Sequence, residues 1–277
     1  MRTLFLVLMF CWVKVYAFSQ NSSDSVLFSI HYIASFKNKE EDVRIATEEK
    51  VLDVMLGHTD FYGRWQRKRE NMTDSILSAG GQFEEVQQAI AVYPRPRQFY
   101  SVLENYPRKG ERMVIDRALY PYYYTESIEP IAWKLENRDS VIAEHLCHAA
   151  SCIFRGHKWE VYYTTDIPYS VGPWKLFGLP GVIMYAKDDR GIFIFDAIEV
   201  RKGNRVFKAP SLRKTKKCTS AELRKLKIEM CKNPDGFVRR MTGQTLQGYD
   251  ANGKPLDLPP AFRTMRSRLS LLTISFA

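Results

Sequence analysis

After residue 17 the sequence has no long hydrophobic run, so no later segment has the roughly twenty apolar residues that a membrane-crossing helix needs. It also has no Gly-x-Ser-x-Gly elbow, no His-Glu-x-x-His and no paired glycosidase carboxylates, the signatures by which hydrolases are usually read. Low-complexity linkers are missing too, which leaves room for one large or two small domains. Acidic residues thin out toward the C-terminus. From 200 to 277 there are 18 Lys and Arg against 5 Asp and Glu, net +13, whereas 18–199 holds 21 against 26, net −5. The basic character of the chain, +10 overall, is therefore a C-terminal property.

The first residues have an identity of their own. Arg2 to Ala17 has a basic start, an apolar core of about ten residues and a small residue at its end, the pattern of a secretory signal. Lys14 and the shortness of the run argue against a membrane anchor. Phe10 stands before Cys11 where a lipoprotein signal wants a small residue. Cleavage is expected after Ala17. This gives a signal peptide over 1–17, a single domain over 18–240 and a loosely attached tail over 241–277 that includes an apolar stretch at Leu269 to Phe276. The expected address is the periplasm or the outer membrane of a Gram-negative envelope. There the basic segment meets an anionic surface rather than nucleic acid, or is simply a solvated face.

Periodicity predicts strands at Ser25–Phe36, Val51–Leu56, Phe61–Trp65, Gln98–Asn105, Arg112–Leu119, Tyr122–Glu126 and Ile131–Leu135, separated by turns. Asn71 to Asp74 opens a short helix that Gly80-Gly81 interrupts, and Gln82–Ala91 resumes it with Phe83, Val86, Ala89 and Ile90 as an apolar stripe expected to pack on the sheet. Thr219 to Met230 reads as a basic helix with a capping box at Thr219 and Glu222. Asn252-Gly253 is a weak hairpin signal. The fold class that follows is α+β, predominantly antiparallel. It is one large meander sheet, curved like a half-barrel because strand twist accumulates, packed on a helix and followed by the basic helix and tail.

The organising stretch runs from Arg155 to Asp188. Three further strands, Lys158–Thr164, Val182–Ala186 and Ile192–Val200, surround the punctuators Ile167-Pro168, Gly172-Pro173 and Pro180-Gly181. Leu179-Pro180-Gly181-Val182 predicts a type II turn with Gly181 at φ > 0. Trp133-Lys134-Leu135, the Cys147 strand, Arg155-Gly156, Asp166-Ile167-Pro168, Gly172-Pro173-Trp174-Lys175 and Gly178-Leu179-Pro180-Gly181-Val182-Ile183 follow one another in order. In this series the chain resembles the GLPGLI family of secreted bacterial proteins, with Val182 in place of the family's leucine. The resemblance implies an address and a shape rather than a reaction.

Chemistry is sought first in Glu144 to His157. Strand alternation puts His145 and Cys147 on one side and His148 and Cys152 on the other, so no tetrahedral site forms there and no metal or cofactor is expected. Once Cys11 leaves with the signal, Cys147, Cys152, Cys218 and Cys231 remain. A strand separates the first two and a helix the last two, so bridges, if formed, are crossed. Free thiols are the alternative. Tyr122, Tyr123, Tyr124, Trp133, Trp159 and Tyr162 are either core or the lining of a groove. His157 and Tyr162 with Asp166, Asp188 and Asp189 are the acid and base groups of a competing hydrolase reading. The favoured expectation is a non-enzymatic envelope protein that binds an apolar or peptidic ligand, or a partner protein. The alternatives are an envelope hydrolase and an accessory component of an outer-membrane uptake system.

Overall fold

The computed structural model describes residues 24–37 and 43–243, together with the backbone of 248–249 and 255–256. The stretch at 1–17 expected to be a signal and most of the expected tail, with its apolar stretch, lie outside the described residues. The elements are β1 (Val26–Phe36), β2 (Ala46–Met55), β3 (Thr59–Gly63), α1 (Arg64–Ser78), α2 (Phe83–Ala91), β4 (Ser101–Glu104), β5 (Glu111–Ala118), β6 (Tyr120–Ser127), β7 (Lys134–Ile142), β8 (His145–Phe154), β9 (His157–Thr164), β10 (Val182–Asp188) and β11 (Phe193–Lys202). After them come β12 (Lys216–Lys217), α3 (Ser220–Lys232), α4 (Pro234–Thr242) and the short pair β13 (Gly248–Tyr249) and β14 (Pro255–Leu256). That last pair is antiparallel and flanks the Asn252-Gly253 position, whose own turn lies outside the described residues.

Twelve strands form one sheet in the order β12-β6-β5-β4-β3-β2-β1-β11-β10-β9-β8-β7, antiparallel throughout except where β12 joins β6. The chain starts in the middle, walks outward from β1 to β6, crosses to the far edge at β7 and walks back to β11 beside β1. That crossing constrains the shape. A flat sheet would hold β6 and β7 about 48 Å apart at about 4.8 Å per strand. The seven steps from Ser127 to Lys134 reach at most about 25 Å, so the sheet curls.

The inner face of the curl is continuous. Ile30, Leu52, Phe61, Val102, Val114 and Tyr124 stand directly opposite one another across β1 to β6, and all are buried. On the other half Ala34, Phe195, Ala186, Val161 and Ala150 make a matching buried row. Leu223 and Met230 of α3 and Phe237 of α4 join this core. α3 starts at Thr219, whose hydroxyl accepts from the Glu222 amide at 3.2 Å while the Glu222 carboxylate accepts from the Thr219 amide at 2.7 Å.

Two expectations need correcting. The stripe on α2 is not sheet core: Phe83 is 66% exposed and only Val86 of the four residues is buried. α2 rides on α1, where Trp65 stacks on Tyr93 at 6.2 Å, and not on the sheet. α1 itself begins at Arg64, seven residues before Asn71. Its first turns, Arg64 to Asn71, are almost wholly polar, so they carried no apolar period to read. They dock by charge on the outer face, Arg64 to Glu49 at 2.6 Å and Arg67 to Asp60 at 2.9 Å.

Candidate functional site

The segment between β9 and β10, residues 165–181, enters the curl and fills it. Trp174, Leu176 and Leu179 are buried in the core, and the Tyr32 hydroxyl donates to the Ile183 carbonyl at 2.7 Å. Each motif glycine has its own reason. Gly178 takes φ +100° beneath Trp133, whose indole N–H donates to the Phe177 carbonyl at 2.9 Å. Gly181, against the type II expectation, is not among the positive-φ residues. Its requirement is close approach, since a Cβ there would lie 1.9 Å from the Thr164 carbonyl oxygen. Gly172 is similar, with a Cβ 2.7 Å from the Leu176 carbonyl oxygen.

Beneath this segment lies a row of charge on the otherwise apolar inner face. Glu104, Arg112 and Glu126 are cross-strand neighbours on β4, β5 and β6. Arg112 donates to Glu104 at 2.5 Å and to Glu126 at 3.0 Å. Lys175, from the Gly-Pro-Trp-Lys motif, reaches Glu126 at 2.8 Å and the Tyr124 hydroxyl at 3.2 Å, and Arg155 of Arg-Gly reaches Glu126 at 3.0 Å. Arg112 also donates to the Lys175 carbonyl at 3.3 Å. Glu126 therefore ties three separated parts of the chain together across the curl. Burial opposes its ionisation, but Lys175, Arg112 and Arg155 together outweigh burial and hold its carboxyl below the ordinary range. Burial lowers Lys175 to about 8, with Glu126 offsetting only part of the cost.

The shift has a measurable sign. With a folded pKa of about 8 against an ordinary 10.5, Lys175 binds fewer protons folded than unfolded between those values, so its contribution to stability rises with pH across that window. The thiols of buried Cys147 and Cys152 and of half-buried Cys218, raised by desolvation to about 11, 12 and 11, pull the other way. The readout is thus a difference. Between pH 8 and 10, urea stability of the wild type should gain on Lys175→Met by about 1 kcal/mol per pH unit. Parallel curves would mean that Lys175 does not titrate in this range.

Next to the charge row, Tyr100, Arg155, His157, Trp159, Trp174, Phe193 and Phe195 enclose a gap of about 10 Å³, about the size of one water. No Ser, Thr or Cys lines it. His157 Nδ1 lies 3.0 Å from Asp188 Oδ2, and Asp188 Oδ1 accepts from the Phe193 amide at 2.7 Å.

The other sequence candidates are dispersed. Tyr122, Tyr124 and Trp159 are buried core, Tyr123 points the other way, and Trp133 and Tyr162 are half-buried. His145 pairs with Asp166 at 3.1 Å and His148 with Asp139 at 2.7 Å, each with one carboxylate and apart from His157. Ile167 and Pro168 lead the segment into the core, Ile167 half-buried against it. Cys147, Cys152 and Cys218 are free thiols and Cys231 is likewise reduced, so the crossed bridges are not formed in this structure. Desolvation raises the pKa of the first three, which disfavours their thiolate forms. Of the acid and base groups, only Asp188 and Asp189 come together with His157.

The Glu104–Arg112–Glu126 row was missed in the sequence. Its signal was present: each charge falls on the same alternation as the buried Val102, Val114 and Tyr124. No family model and no curated protein matches the chain. Among solved structures it is similar to PNGF-II in two crystal forms, P21 at 14% identity and TM-score 0.48 and C2 at 14% and 0.47, in each case over 72% of this chain. The chain spans 32% of the length of those proteins.

Proposed function

We propose that this is an exported, non-enzymatic protein of the cell envelope, of the GLPGLI type, whose curved, half-barrel-like sheet takes an extended peptide segment of a partner protein by strand addition at β7. A component of an outer-membrane uptake system is a partner of the right kind. In this reading the basic helix and tail face an anionic surface, and the motif segment packs the interior instead of gating it. A gap the size of one water favours that interior role over carriage of an apolar ligand.

The observation that carries the proposal is the state of β7. It is a nine-residue edge strand with one side unpaired among the described residues. Beside that edge Val141 and its cross-strand neighbour Leu146 are 70% and 51% exposed, and Leu135 and Ile153 are exposed on the same hairpin. A free edge supplies main-chain donors and acceptors, and apolar side chains beside it supply specificity. The first half of β7 is guarded against indiscriminate pairing. Pairing with β8 is irregular between Leu135 and Asp139, and Arg138 is bound to Glu136 and, at 3.3 Å, to Glu160. That leaves Asp139 to Ile142 as the docking stretch.

Display selection of extended peptides against residues 18–277 tests the reading. The expected binders alternate apolar residues, slow amide exchange in 139–142, and bind Val141→Lys at least about tenfold more weakly, a loss of about 1.4 kcal/mol. Binders that protect another region and ignore Val141→Lys would refute it.

A further inference from the structure

We propose that His157, Asp188 and Asp189 form a binding site for one divalent transition-metal cation, Zn²⁺ being the best fit, where β9 begins and β10 ends. One ligand atom from each residue lies within 4.8 Å of the other two. Two donors about 2.1 Å from one Zn²⁺ at the tetrahedral angle lie about 3.4 Å apart, so the 3.0 Å between His157 Nδ1 and Asp188 Oδ2 has to open by only a few tenths of an ångström to admit the ion. Both residues are more than nine-tenths buried, so these two donors are already stripped of water.

Their orientation is fixed before any ion arrives. The Phe193 amide holds the second oxygen of Asp188 at 2.7 Å, and the Asp189 amide donates to the Lys158 carbonyl at 2.8 Å, setting the third donor opposite the start of β9. His157 also lines the enclosed aromatic gap. Asp189 is exposed, which gives the ion a path in and leaves its remaining positions to water. One imidazole with two carboxylates is a mixed nitrogen and oxygen set that favours Zn²⁺ or Mn²⁺ over Mg²⁺. On binding, the cation replaces the proton shared by His157 and Asp188, and that proton leaves to solvent. The site does not depend on β7 or on any partner.

Titration of metal-free protein, residues 18–277, with ZnCl₂ by calorimetry and native mass spectrometry tests it. One Zn²⁺ per chain is expected, with a rise in Tm and unchanged binding in Cys218→Ser. Asp189→Asn, an exposed change that leaves the buried pair intact, should weaken binding at least tenfold, and His157→Gln should abolish it. No binding below 100 µM, or equal binding by wild type and Asp189→Asn, would overturn the assignment.

Discussion

Gly181→Ala is expected to cost at least about 4 kcal/mol, a large part of the 5–15 kcal/mol that holds a typical domain folded. The added Cβ would sit 1.9 Å from the Thr164 carbonyl oxygen and 2.7 Å from its carbon, and both are backbone atoms of β9. No side chain can move aside to make room. Either the pairing of Val182 with Thr164 opens, or the segment that fills the curl lifts out with its Trp174 and Leu179. Gly156→Ala is the control. That glycine has φ +76° with open space around it, so alanine there meets only backbone strain of about 1–2 kcal/mol. Urea unfolding followed by tryptophan fluorescence compares the two, and equal midpoints would remove the close-approach argument.

Glu126→Ala should be nearly as damaging, at about 3–5 kcal/mol, because it leaves Lys175, Arg112 and Arg155 without their shared carboxylate in the interior. Arg112 keeps the Glu104 carboxylate, and Lys175 keeps the neutral Tyr124 hydroxyl. Adding Lys175→Met should therefore recover part of the stability, with a coupling of about 1–3 kcal/mol. A Glu126→Ala protein within 1 kcal/mol of wild type would mean that the three cations are held by something other than this carboxylate.

Most strand positions were legible where the inner face alternates, but the expected strand Phe61–Trp65 stops at Gly63, where α1 begins, and the one expected at Ile131–Leu135 is in fact β7, Lys134–Ile142. Ile30, Leu52, Phe61, Val102 and Val114 mark that face in the sequence as they do in the sheet. The antiparallel class followed from the turns. What stayed hidden depended on contacts far apart in the chain. Nothing local to Leu179-Pro180-Gly181 shows that Thr164 presses against it, so the glycine was read as a φ requirement. Phe83 lies on an apolar stripe, yet the surface it would have covered is taken by residues 165–181 and by α3 and α4. Nothing near Lys175 in the sequence marks it as a buried cation, because its partner Glu126 stands 49 residues upstream. His157, Asp188 and Asp189 were each visible as acid or base groups. Their meeting depends on the pairing of β9 with β10, which places Asp188 opposite Trp159.

The motif segment is a fixed plug of the curled sheet and not a lid over a binding site. Native-state hydrogen exchange reads this at three amides: Val171 and Leu176 donate within the segment to the Tyr169 and Pro173 carbonyls at 2.8 and 3.1 Å, and Ile183 of β10 donates to the Val171 carbonyl at 2.9 Å. A plug predicts that they exchange only through global unfolding, with an opening free energy equal to that of the slowest amides in β1 and β11. Exchange through a local opening several kcal/mol cheaper, with β1 and β11 still protected, would contradict the account and make the segment a lid.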